Sequence, residues 1–459
     1  RSLLPFCILA TLYLYLYPFF HRCEFPAPKY DGQHNISSSQ VAPFRLLALG
    51  DPQIEGDTSL PDPNDPIFPS LVSFRENVGN DGLALAARVS AYGLLTEDVP
   101  RLLEAMRKRI DLFGNDFYLA HIYRTLHWWT RPSHVTVLGD LLGSQWIDDG
   151  EFAKRGWRFW NRVFKGGERV GPESIKTEEE PEILGQNSEW ARRFINVAGN
   201  HDIGYAGDID EDRITRFERL FGPVNWEVSF RHPNTTLSTD TGTHPSLRII
   251  ILNSMNLDTP ALTESLQEDT YTFVNNAITS SAPVEDRTTF TLLLTHIPLH
   301  KEAGICVDAP FFDYFPDDQG GGIMEQNHIA YDTGKGLLEG IFGLSGNPDA
   351  AARGLGRNGL ILTGHDHEGC DVYHYHPRDG EKWEASRWAD AANLTADRDL
   401  PGVREITLRS MMGQYGGYAG LVSVWFDEGR GEWRSEAQMC RLGIQHVWWA
   451  VHIFDLITV

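Results

Sequence analysis

Four short signatures follow one another along the chain: Asp51-Pro52-Gln53, Gly139-Asp140, Gly199-Asn200-His201-Asp202 and Gly364-His365-Asp366-His367. A further histidine, His296, follows the apolar run 289–294. Each falls where an apolar stretch breaks into a polar loop. Carboxylate, amide and imidazole groups gathered at one sheet edge can hold two divalent metal ions. Ions about 3.5–4 Å apart can clamp both the attacking and the leaving oxygen of an in-line displacement at phosphorus. Two cations that close need an anionic bridge, and Asp140 is the expected one. Asp51 and His367, with Gln53 nearby, would complete the ligands of the first ion. Asn200, His296 and His365 would complete those of the second ion. The expected nucleophile is a hydroxide, because cations lower the pKa of bound water. His201 follows a ligand, so it should face the phosphoryl oxygen or the leaving group and donate a proton or stabilise charge there. Asp202 is expected to orient it.

These signals differ in weight. Gly-Asp after a strand is usually a turn. Gly-Asn-His-Asp is far rarer, and so is Gly-His-Asp-His, whose histidines at i and i+2 can both face a metal. His296 alone would read as a core histidine; its place between the other motifs makes it a ligand. His300 and His328 read as structural.

The positioning elements follow from the apolar runs. Short runs at 45–49, 134–138, 194–198, 247–252, 289–294 and 359–363 read as buried strands. Later runs at 371–376, 403–409 and 421–426 complete a strand-rich second half. Helices are expected from Asp98 to Ile110, where Gly114 stops the first, then over 115–129, 151–164 and 210–221. Early strands alternate with helices and late strands follow one another. That predicts an α/β fold of four layers, an α/β/β/α sandwich, with ligands converging from the carboxyl ends of strands.

The chain has 459 residues, 41% of them hydrophobic, and carries a formal charge of −23. That balance disfavours nucleic acid as a partner. Residues 3–20 (LLPFCILATLYLYLYPFF) form an apolar run long enough to cross a bilayer. A retained transmembrane anchor is expected there, with a cleaved signal as the alternative. Residues 21–44 then form a linker, 45–426 the catalytic domain and 427–443 a juxtamembrane segment. Residues 444–459 could begin a second membrane segment, lie in the interface with Trp448 and Trp449, or form a buried final helix. The run 166–186 reads as an acidic, solvated insertion.

Sequons at Asn35, Asn234 and Asn393 favour a luminal catalytic domain. Cys306 and Cys370 each follow a ligand loop and are expected to form a disulfide at the rim of the site. Cys23 and Cys440 flank the two apolar ends, so they could meet at one membrane face.

In order and placement the motifs resemble the calcineurin-like metallophosphoesterases, over roughly residues 45–426. Every position of that signature is matched except the first histidine, where Gln53 stands. An amide oxygen is a harder, weaker ligand than imidazole, which shifts the expected metal towards Mn²⁺ or Mg²⁺ and away from Zn²⁺. Asp-Pro-Gln looks like the fungal and animal branch that remodels GPI anchors. Residues 121–124 (HIYR) before Gly139-Asp140, and 410–420 (SMMGQYGGYAG), are similar to that branch too. The resemblance implies a membrane-anchored phosphodiesterase of the endoplasmic reticulum or Golgi. It would remove an ethanolamine-phosphate side branch from a GPI mannose, so that GPI proteins leave the endoplasmic reticulum with transmembrane cargo receptors. The acidic loop 308–318 could attract the ethanolammonium group, or be merely solvated. Two rivals stand beside this reading: a tethered phosphatase of soluble phosphoesters or phosphoproteins, and a non-catalytic cargo-sorting protein.

Overall fold

The computed structural model describes residues 3–30, 41–57, 59–62, 64–171, 175, 181–233, 244–378, 380 and 382–458. Asn35, Asn234, Val459 and most of the acidic stretch at 172–180 lie outside the described residues.

Among the described residues two large sheets pack face to face. The first has six strands. At its centre Phe44–Leu49 runs parallel to His134–Leu138, which runs parallel to Arg193–Val197. The second has eight strands. There Ser246–Ile251, Thr289–Leu294, Asn358–Thr363 and Gly402–Thr407 run parallel. Parallel strands place all their carboxyl ends on one edge, so the loops that follow them share that edge.

Between the sheets lies one apolar layer, in which Phe44, Leu46, Leu138 and Val197 meet Ile249, Leu292, Leu294 and Leu362. The opposite faces are covered by helices. Leu47 and Val137 share a cluster with Tyr118, Ile122 and Leu126 of the helix Val99–Thr130, and Leu293 and Ile361 with Val274, Leu337 and Ile341. Burial on both faces is why these strands read as nearly unbroken apolar runs. The expected four-layer sandwich is present.

Three departures have physical causes. The helix Val99–Thr130 passes straight through Gly114. A Cβ on Gly114 would lie 1.6 Å from Trp449 Cζ2. The glycine lets the C-terminal helix Gln445–Thr458 seat its indole on the long helix, and that packing overrides the propensity penalty of about 1 kcal/mol. Gly114→Ala gains that propensity but forces the ring away, at an overpacking cost of about 1–3 kcal/mol. A lowered urea midpoint is expected; an unchanged or raised one would show that the indole moves freely.

The first sheet also extends past Phe426. Glu432–Arg441, expected only as a segment leading to the membrane, is its antiparallel edge strand.

The third departure concerns the termini. Residues 3–20 do not form one span. They form the helices Leu4–Tyr15 and Tyr17–Phe20, interrupted at Leu16 just ahead of Pro18, which has no N–H to donate and whose ring crowds the preceding turn. Among the described residues no helix is long and apolar enough to cross a membrane. The two terminal helices instead pack on each other: Thr11 Oγ1 donates to Asp455 Oδ2 at 2.8 Å. Cys7 is buried and unpaired, while Cys23–Cys440 ties the N-terminal segment to the edge strand.

Candidate metal centre

The three motif loops of the first sheet and the two histidine loops of the second meet at the shared edge. Gly139 makes the meeting possible: a Cβ there would lie 2.1 Å from His296 Nδ1. Asp51, Gln53, Asp140 and His365 all have positive φ, at 47°, 39°, 49° and 72°. Left-handed backbone costs non-glycine residues about 1–2 kcal/mol each, and such strain clusters at functional sites. Here it turns four side chains inward together.

Asp140 is the hub. It belongs with His296 and His365 to one group of ligand atoms, and with Asp51 and His367 to a second; within each group the atoms lie within 4.8 Å of one another. Its Oδ1 stands 3.3 Å from His296 Nε2 and accepts the His201 backbone N–H at 2.9 Å. Asn200 Oδ1 lies 3.1 Å from His296 Nε2 and 3.0 Å from His365 Nδ1, which places it with the first group. The Gln53 amide reaches the second, with Nε2 2.9 Å from Asp140 Oδ2 and 3.1 Å from His367 Nε2. Half a turn of that amide would present its oxygen instead. All seven expected ligands are therefore brought together.

The electrostatics suit cations. Burial pushes the Asp51 carboxyl up to about 8, with Asp140 adding to the shift and His296 opposing it. Burial acts on Asp140 in the same direction, but His296, His201 and His365 outweigh it and hold Asp140 well below the carboxylate range. His296 is lowered by burial and raised further by Asp140 and Asp51, to about 9. Burial and His296 bring His365 down to about 3. Asp51 Oδ2 is buried without a hydrogen-bond partner. An orphaned carboxylate oxygen beside a second buried carboxylate is what a divalent ion would satisfy. The residues present fit a pair of such ions.

The histidine tautomers are set from outside. His296 Nδ1 lies 2.7 Å from the Leu138 carbonyl, leaving Nε2 to face Asp140. His365 Nε2 lies 2.8 Å from the Gln326 carbonyl, leaving Nδ1 inward. His367 Nδ1 lies 3.2 Å from the Tyr415 hydroxyl. Such outer partners orient ligands and raise their basicity.

No family model matches the chain. Individual proteins do. Protein TED1 of Saccharomyces cerevisiae is 31% identical over an alignment covering 98% of this chain and 94% of that protein. The chain belongs to the calcineurin-like metallophosphoesterases. An uncharacterized protein of Schizosaccharomyces pombe is 28% identical across 69% of this chain and 63% of its own length. Metallophosphoesterase 1 of Danio rerio is 22% identical across 60% of this chain and 62% of its own length.

As a metallophosphoesterase the chain is a metal-dependent phosphoesterase that uses divalent ions. Asp202 departs from the role expected of it. Its carboxylate accepts the N–H groups of Leu141, Leu142 and Gly199 at 3.1, 2.9 and 2.9 Å. It makes no hydrogen bond to the His201 ring, whose Nδ1 has no partner. Asp202 staples the Gly-Asp loop to the Asn-His loop, and so positions Asp140 against Asn200. The disulfide Cys306–Cys370 is present and holds the loop beyond His296 to the strand beyond His367.

A buried carboxylate missed by the sequence reading supports the second sheet's ligands. Glu405 accepts from Leu299 N at 2.9 Å and Lys301 Nζ at 3.0 Å, and lies 2.5 Å from His374 Nε2. Burial would raise it, but Lys301 and His374 bring it down to about 2. Glu405→Ala would leave the Lys301 ammonium buried and unpaired. Breaking a buried pair from one side costs about 3–5 kcal/mol, so a lowered denaturant midpoint of that size is expected. A loss under about 1 kcal/mol would place Lys301 in water.

Proposed function

We propose that this metallophosphoesterase is a phosphodiesterase that removes an ethanolamine-phosphate side branch from a mannose of GPI anchors. Asn200, His296 and His365 would hold one divalent ion, Asp51, Gln53 and His367 the other, and Asp140 both. The observation that carries the reading is this shared place of Asp140 in two ligand groups. When bound, such a pair polarises phosphoryl oxygens and lowers the pKa of water. Mn²⁺ suits the Gln53 amide best, ahead of Mg²⁺ and Zn²⁺.

The chain's own residues supply the rest. A cavity of about 410 Å³ opens over Asp140, Asn200, His365 and His367. His201 lines it, with Nε2 3.8 Å from Asp140 Oδ2. From there the ring can protonate a departing alkoxide. Asp308 and Glu325 line the same cavity and offer anionic partners to an ethanolammonium group. Tyr205 and Trp146 complete the wall.

The substrate assignment rests on the Asp-Pro-Gln motif and its branch resemblance. Two disulfides and an exposed Asn393 sequon support an oxidising lumen, in the endoplasmic reticulum or Golgi. Exposed Phe6, Leu9, Phe19, Leu456 and Ile457 on the terminal helices support membrane attachment near GPI substrates and transmembrane cargo receptors. The test is hydrolysis of a bis-aryl phosphate against an aryl monoester in Mn²⁺, with GPI glycans profiled in cells lacking the chain. Diester turnover and an extra ethanolamine-phosphate on a mannose are expected. Monoester turnover alone would make it a phosphatase, and absent metal and turnover would make it a sorting scaffold.

A further inference from the structure

A buried carboxylate outside every motif reaches the metal centre through one side chain. Asp258 lies in the loop after the strand Ser246–Ile251. It belongs to neither ligand group. Its Oδ2 accepts the Gln326 Nε2 amide at 2.9 Å and the Ala330 N–H at 2.8 Å, and its Oδ1 accepts the Thr333 hydroxyl at 2.6 Å. All three donors come from the segment that joins the cavity wall to the helix Tyr331–Ile341.

Gln326 is fully buried and ends the strand Ile323–Gln326. Among the described residues that strand pairs with Phe312–Tyr314 alone, in a two-stranded sheet separate from the two large ones. A lone hairpin is marginally stable in water, so this one needs anchors. At the Ile323 end they are backbone bonds: the Gly207 N–H donates to the Ile323 carbonyl at 2.9 Å, and the Ile323 N–H donates to the Pro260 carbonyl at 3.1 Å. At the Gln326 end the anchor is the side-chain amide, which donates to Asp258 and, at 3.1 Å, to the His328 carbonyl.

The Gln326 carbonyl is the group 2.8 Å from His365 Nε2. A carbonyl can only accept, so Nε2 carries the ring proton and the Nδ1 lone pair is left for a cation. Nδ1 lies 3.0 Å from Asn200 Oδ1, among the other ligands. The place of that carbonyl decides the tautomer and aim of His365, and the Asp258–Gln326 bond holds the carbonyl in place. Met324, Glu325 and Asn327 of the same segment line the metal cavity.

We infer, on the reading of this site as a two-ion centre, that Asp258 is a positioning residue: it fixes, through the Gln326 amide, the carbonyl that holds His365 in its ligating tautomer. Calorimetric titration with Mn²⁺ of the full chain, freed of metal by a chelator, tests this beside urea unfolding. In Asp258→Ala the ion held by Asn200, His296 and His365 should bind roughly 10–100-fold more weakly, the scale of losing a partner that orients a ligand, while the other ion binds as in wild type. Asp258→Asn should restore much of the affinity. Its amide oxygen can still accept from Gln326, and its NH₂ can face the Thr333 hydroxyl, which can turn and accept. Thr333→Val removes a different contact of the same carboxylate. It should lower the urea midpoint and leave both Mn²⁺ affinities unchanged, a split that a merely structural Asp258 would not produce. In the metal-free chain the ¹⁵N signals of the His365 ring, identified by their loss in His365→Ala, should report Nε2–H in wild type and a mixture of tautomers in Asp258→Ala. Should Asp258→Ala fail to fold, Gln326→Leu, which keeps the backbone carbonyl and removes the amide, carries the same expectations. Mn²⁺ affinities and ring signals that ignore the loss of the Asp258–Gln326 bond overturn the inference. So does an equal loss of affinity in Thr333→Val. A wild-type chain that binds no Mn²⁺ overturns the two-ion reading as well, whereas uptake of both ions with Asp258 indifferent overturns the positioning role alone.

Discussion

Asp140→Ala is expected to lose both metal ions together and to lower phosphodiester turnover by roughly 10⁴-fold or more, the scale of removing a member of a unit that acts as one. No other side chain among the described residues belongs to both ligand groups. Removing Asp51 or His296 would strip one group and leave the other. Removing Asp140 takes an oxygen from each. The change should leave the sheets intact, because Asp140 shares its buried surroundings with Asp51 and Asp202, both pushed up by burial and by its charge. Deleting the middle charge relieves that crowding, which offsets the hydrogen bonds lost from the His201 N–H and Gln53. The measurements are metal content by mass spectrometry, circular dichroism and rate. About two ions per wild-type chain and fewer than one per variant are expected, with an unchanged spectrum. A variant that keeps both ions would refute the bridge.

The ligands were legible in the sequence because three conditions coincide. Their residue types are unusual in combination, each follows a short apolar run, and parallel strands deliver their carboxyl ends to one edge. Asp140 and His365 needed only this logic. What was not legible is everything supplied by backbone atoms or by packing. The carbonyls of Leu138 and Gln326 orient His296 and His365, yet a carbonyl leaves no mark in composition. Asp202 was misread for the same reason: it sits beside His201 in sequence, but its partners are amides of the Gly-Asp loop, some sixty positions away.

The fold shows the same division. Central strands, buried on both faces, announced themselves as apolar runs. The edge strand Glu432–Arg441 has one open side and mixed burial, so its sequence, EWRSEAQMCR, carries no clear period. Trp226–Arg231 was missed as well, a six-residue strand with two charged positions. Gly114 was read as a helix stop by propensity, and the indole across from it decides otherwise. The apolar run 3–20 was read from its length and composition, while Pro18 and the facing C-terminal helix set what it forms.

His201→Ala is the sharper test of chemistry, since it separates a proton donor from a ligand. The side chain is about one-third exposed, lines the cavity above Asp140, and belongs to neither ligand group. Its backbone N–H, which survives substitution by alanine, makes the contact to Asp140 Oδ1. Metal content should therefore be unchanged. The rate on an ethanolamine-type diester, whose alkoxide leaving group needs a proton, should fall by roughly 10²–10⁴-fold, the usual scale for general acid catalysis. A bis-aryl phosphate releases a phenolate that needs much less help, so its rate should fall less. Loss of metal would make His201 a ligand. An equal loss on both substrates would make it a stabiliser of phosphoryl charge rather than an acid. Only a dependence on the leaving group, with both ions retained, assigns the proton to its ring.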